Sequence, residues 1–159
     1  MPRTLIAGFG NVLRGDDGFG VEVIRRLETI SGLDGDVRLL EVGTGGLGLA
    51  QELLTPYDRL IVVDAMSRGG MPGSVYVLEV EGVEMAEAVD LHLAIPARAL
   101  AVARALGALP PRVYMVGCEP AEVDELVFRL SPAVERAVPV ALERIARLVA
   151  LDLEGSEVG

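Results

Sequence analysis

Apolar positions along this chain follow two alternating rhythms. Short runs rich in β-branched residues recur at 4–7, Val37 to Val42, Leu60 to Val63 and Val113 to Gly117. Their length and composition suit strands buried on both faces. Between them the spacing turns helical: Phe19, Val23, Leu27 and Ile30 share one face, and Leu47 to Leu54 and Ile95 to Leu106 read the same way. Ser74 to Val80 follows a Gly- and Pro-containing turn and reads as an added strand, at an edge or antiparallel. Ser131-Pro132 supplies an N-cap and a first-turn proline for a long helix facing inward with Val134, Val138, Leu142, Ile145 and Val149, and Pro139 is expected to kink it. The alternation predicts an α/β fold, a three-layer α/β/α sandwich with a mostly parallel twisted sheet of about five strands in an order beginning 2-1-3. Residues 1–153 read as a single domain and 154–159 as a polar C-terminal tail.

The first strand leads into Gly8-Phe9-Gly10-Asn11-Val12-Leu13-Arg14-Gly15-Asp16-Asp17-Gly18-Phe19-Gly20, a glycine-rich corner carrying two adjacent carboxylates. A dinucleotide-binding turn would need glycine at position 13, which is Leu13, and a phosphate loop would need a lysine, which the chain lacks. Negative charge at the mouth of the following helix also opposes a phosphate and asks for a cation instead. Asp64 ends the third apolar run. In a 2-1-3 sheet the first and third strands are neighbours, so Asp64 and the Asp16-Asp17 pair converge at the crevice where the connections leave to opposite faces. The loop Gly43-Thr44-Gly45-Gly46, leaving the second strand, lines the same rim and is a candidate substrate-binding segment; the alternative is a turn that needs positive φ. For Asp16 the alternative is a first-turn acid capping the helix.

Composition narrows the chemistry further. The formal charge of −10 disfavours nucleic acid and anionic membrane as partners, and 51% apolar content over 159 residues supports a sizeable core. Neither a signal peptide nor a spanning helix is visible at the start, and the single cysteine, Cys118, fits a reducing compartment. His92 is the only histidine and there is no lysine, which excludes a lysine Schiff base, a Ser-Lys dyad and a multi-histidine zinc site. Any metal site must be carboxylate-rich. Cys118 reads as a small buried hydrophobe rather than a nucleophile paired with His92, and Met66, Met71 and Met115 read as packing residues.

The opening corner, Glu41-Val-Gly-Thr-Gly-Gly46, Val62-Val-Asp-Ala65, His92, Val116-Gly-Cys-Glu-Pro120 and Leu130-Ser-Pro-Ala-Val134 together resemble the hydrogenase maturation endopeptidases. The resemblance implies an endopeptidase that removes the C-terminal extension of a nickel-iron hydrogenase large-subunit precursor after nickel insertion, in the cytoplasm. It also implies three metal-contacting residues, which fall by position on Asp17, Asp64 and His92. Relatives often carry glutamate where Asp17 stands. The implied metal is nickel presented by the substrate, with zinc or cadmium able to occupy the same donors in vitro. Asp16 or Asp17 is then the candidate to position or deprotonate a water. A nickel-sensing chaperone that binds the precursor without cutting it shares the same ligands, and a nucleotide-binding α/β domain is the third reading.

Overall fold

The computed structural model describes residues 2–30, 32–33, 35–44, 46–80, 94–123 and 126–151. Strand β1 (Arg3–Phe9) leads through a 3-10 turn (Gly15–Gly18) into helix α1 (Phe19–Glu28). There follow β2 (Asp36–Gly43), α2 (Leu47–Glu52), β3 (Arg59–Ala65), β4 (Val75–Glu79), α3 (Ala94–Ala105), β5 (Arg112–Cys118) and α4 (Pro132–Ala150). The five strands form one sheet in the order β2-β1-β3-β5-β4. β2, β1, β3 and β5 are parallel, and β4 pairs antiparallel on β5 as the outermost strand. The predicted fold class, the 2-1-3 start and the edge position of the 74–80 segment all appear in this arrangement.

Strand alternation sorts the core into two layers. Ile6, Ile61, Val63, Tyr114 and Val116 face α1 and α4, where Phe19, Ile24, Val134, Val138 and Ile145 meet them. Leu5, Ala7, Leu60, Val62 and Met115 face the other way onto Leu49 of α2, Leu53 just after it, and Leu100 and Ala103 of α3. β1, β3 and β5 are buried almost throughout because helices cover both faces, whereas β2 and β4 keep a half-exposed pattern at the two edges. α1 reaches the sheet so closely that a Cβ on Gly20 would lie 2.2 Å from the Val63 carbonyl oxygen, and one on Gly8 would lie 2.3 Å from that of Gly20. These glycines let the helix pack backbone to backbone on the strands.

Two readings of the sequence are corrected here. Ile30 lies beyond the end of α1 and is 44% exposed, because the Thr29 amide and hydroxyl both turn back to the Arg26 carbonyl and end the helix before a further turn can form. Met71 is 80% exposed in the turn before β4, while Met66 and Met115 are buried as expected. α4 continues as helix through Pro139, which sits on its exposed face. One strong anchor went unpredicted. Arg59, fully buried at the start of β3, donates from Nη1 to the Val149 carbonyl at 2.6 Å and from Nη2 to that of Leu151 at 2.7 Å. A cation there satisfies the orphan carbonyls at the carboxyl end of α4 and complements its dipole.

Candidate active site

The carboxyl ends of β1 and β3 open onto a cleft of about 260 Å3. It lies between the neighbouring strands β1 and β3, where the strand order reverses and α1 and α2 lie on opposite faces of the sheet, the usual ligand crevice of a doubly wound sheet. Asn11, Arg14 and Asp17 line it from the corner after β1, Thr44 from the loop after β2, Asp64 from β3 and Pro96 from α3. Backbone bonds hold the corner. Gly10 donates to the Gly43 carbonyl at 2.9 Å, Arg14 to that of Asn11 at 3.1 Å, and Asp17 to that of Arg14 at 3.2 Å. The Asn11 side chain accepts the Leu13 amide at 2.9 Å, a local turn that Asn favours. Gly10 has φ of +125°, and a Cβ there would fall 1.8 Å from the Asp17 carbonyl oxygen. No other residue type fits so close to the Asp17 backbone.

Asp16 and Asp17 are neighbours in sequence and point apart. Asp16 is fully buried away from the cleft. Its carboxylate accepts the Ala121 and Glu122 amides, each at 2.8 Å, the Ser131 amide at 2.6 Å and the Ser131 hydroxyl at 2.8 Å. It therefore clamps the segment after β5 and the N-cap of α4 onto the corner. Asp17 turns toward the cleft and accepts the Asn11 amide at 3.0 Å.

Asp64 is 6% exposed. Burial holds its carboxyl well above the usual carboxylate range, and the charge of Asp17 pushes it further up; a backbone hydrogen bond at Ala65 opposes both. A buried carboxyl whose ionisation is disfavoured, with a second carboxylate turned to the same small space, forms a site that favours a cation. Oxygen donors of this kind suit a divalent ion, and a first-row metal with an imidazole added. Asp17 and Asp64 fit that chemistry. Among the described residues no group of three His, Cys, Asp or Glu side chains comes together, and His92, the third expected contact, lies outside them. Gly43 and Thr44 line the cleft as expected; Gly46 is buried at the N-cap of α2 with φ of +83°, and Gly45 lies outside the described residues.

A second buried carboxylate supports the site from behind. Glu119, 6% exposed, accepts the Arg68 amide at 2.8 Å, the Gly70 amide at 3.0 Å and the Tyr76 hydroxyl at 2.8 Å. It thereby fixes the loop that follows Asp64, while the Met66 amide donates to the Cys118 carbonyl. In the sequence it was marked only by its place after the buried β5 run, within the Val116-Gly-Cys-Glu-Pro120 segment. Cys118 is buried, and its thiol is pushed up to about 12 by burial, with the charges of Asp16 and Glu119 adding to the effect. A thiol held protonated in this way behaves as a small hydrophobe.

A doubly wound α/β domain with a carboxylate-lined cleft between its first and third strands is the class these features define. Residues 21–148 match the hydrogenase maturation protease family, and the chain belongs to it. It is similar to the hydrogenase expression/formation protein HupD of Rhizobium leguminosarum bv. viciae, 39% identical over 94 residues, which are 57% of this chain and 46% of that protein. It is also similar to the hydrogenase 2 maturation protease of Escherichia coli K12, 35% identical over 82 residues, 51% of this chain and 49% of that one. The matched stretch thus spans about half the length of these relatives. Among solved structures, the hydrogenase maturating endopeptidase HybD from E. coli superposes with a TM-score of 0.78 at 30% identity, covering 90% of this chain and 89% of that one. HybD from Thermococcus kodakarensis gives 0.77 at 29% identity, covering 92% and 99%.

Proposed function

We propose that the chain is a cytoplasmic endopeptidase that removes the C-terminal extension of a nickel-iron hydrogenase large-subunit precursor once nickel has been inserted. The observation that carries this reading is the pairing of Asp17 and Asp64 across one cleft in a member of the maturation protease family. In this reading the nickel belongs to the substrate, and Asp17, Asp64 and His92 contact it. The penalty for ionising Asp64 beside Asp17 is relieved when a divalent cation arrives, so a metal-loaded precursor is favoured over an empty one. Docking by the metal brings the scissile peptide into the cleft, where orientation does much of the catalytic work. Of the two adjacent acids, Asp17 stands on the cleft and Asp16 does not. Asp17 is accordingly the group that takes a proton from the attacking water; the water oxygen bonds to the carbonyl carbon, the C–N bond breaks, and the proton passes to the leaving amine.

The test is the intact mass of a large-subunit precursor co-expressed with this chain, with nickel supplied or withheld. Loss of a C-terminal fragment only with nickel supports the reading. A precursor shown to hold nickel that is bound but not shortened overturns it in favour of the chaperone. Cleavage that is indifferent to nickel removes the role of the metal and leaves the peptidase.

A further inference from the structure

Among the described residues that line the cleft, one carries a cation. Arg14 lines the same space as Asp17 and Asp64, yet among the described residues its side chain makes no hydrogen bond or ion pair. What sets it apart is its place on a cleft that two carboxylates also line. Several arginines outside the cleft do hold carboxylates: Arg3 with Asp36, Arg25 with Glu41, Arg26 with Glu22, Arg112 with Glu79. The backbone of Arg14 is nevertheless fixed on both sides. Its amide and carbonyl bond within the corner, and it forms a bridge with Val127. A pinned backbone with an unpaired guanidinium beside two carboxylates makes the cleft bipolar, with an anionic floor at Asp64 and a cationic mouth at Arg14, which is exposed.

Resting on the peptidase reading above, we infer that Arg14 is a specificity-determining residue that sets the register of the precursor segment by binding a carboxylate in it. A peptide that brings a metal cation to Asp17 and Asp64 and a carboxylate to Arg14 fits in one direction only, since reversing it places like charges together. Guanidinium is suited to this because its fork of donors accepts a carboxylate in bidentate fashion. At the mouth, Arg14 acts on a group flanking the scissile bond, so its contribution is uniform to ground and transition states and appears in KM.

The experiment compares wild type, Arg14→Gln and Arg14→Glu on the nickel-loaded precursor at low and high salt, with binding measured in parallel by anisotropy of a labelled precursor. The expected result for Arg14→Gln is a KM and Kd raised about tenfold at low salt, with kcat within about twofold of wild type. Arg14→Glu should be worse, and replacing one acidic residue of the precursor segment by Arg should restore it. Unchanged KM and Kd in Arg14→Gln, or a fall in kcat at constant KM, overturns the inference. If wild type binds the precursor without shortening it, the peptidase reading fails, and the Kd values decide the role of Arg14 alone.

Discussion

Asp16 and Asp64 are both buried carboxylates at the same end of the sheet, and they are treated in opposite ways. Four donors from the Ala121–Glu122 segment and Ser131 converge on Asp16, so its charge is solvated by the protein and the carboxylate is spent on structure. Asp64 is nearly as deep, has the like charge of Asp17 in front of it, and its carboxyl is held well above its ordinary range. Burial with donors builds the fold. Burial without enough of them leaves a site under electrostatic tension, which a ligand can relieve.

The sharpest way to break this contrast is Asp16→Ala. It strands the Ala121 and Glu122 amides and both Ser131 donors, and should cost about 3–5 kcal/mol in urea unfolding. A loss under about 1 kcal/mol would mean that the clamp is dispensable. Next in size is metal binding by the isolated chain. Zinc or nickel should raise the melting temperature of the wild type and leave Asp64→Asn and Asp17→Asn much less responsive, by tenfold or more in apparent affinity.

A third prediction sharpens the Asp64 side through pH. Its carboxyl has a higher pKa folded than unfolded, so the folded chain binds more protons. The stability this confers is fully present below the ordinary carboxylate pKa and is lost as pH rises through the raised folded value. Asp64→Asn should therefore be more stable than wild type at neutral pH, with the gap closing as pH falls, as measured by urea midpoints. Equal midpoints across that range would mean that Asp64 is not under tension. Smallest of all, iodoacetamide at neutral pH should leave Cys118 unlabelled in the folded chain and labelled in urea, because the buried thiol stays protonated.

How far these features were legible in the sequence follows from the range of the interactions. Strand and helix rhythms are local, so the alternation from Leu5 to Val149 gave the sandwich, the 2-1-3 start and the edge strand at 74–80. Asp64 was legible because a strand end at a switch point is a position in a topology. What separates Asp16 from Asp17 was not. The donors that claim Asp16 come from 105 to 115 residues further along, and no spacing around position 16 announces them. Glu119 and Arg59 were missed for the same reason, since each acts on backbone about 50 or 90 residues away. The exposed Met71 and Ile30 show the converse error, where an apolar side chain next to a turn was read as part of a packed face.

One measurement bears most directly on the contrast between the two buried acids. Asp64→Asn and wild type would be tested side by side for shortening of the nickel-loaded precursor and for urea midpoint at neutral pH. The account predicts that wild type yields the shortened precursor, that Asp64→Asn leaves it full length, and that the midpoint of Asp64→Asn equals or exceeds that of wild type. Full processing by Asp64→Asn, or loss of processing accompanied by a lowered midpoint, would contradict it.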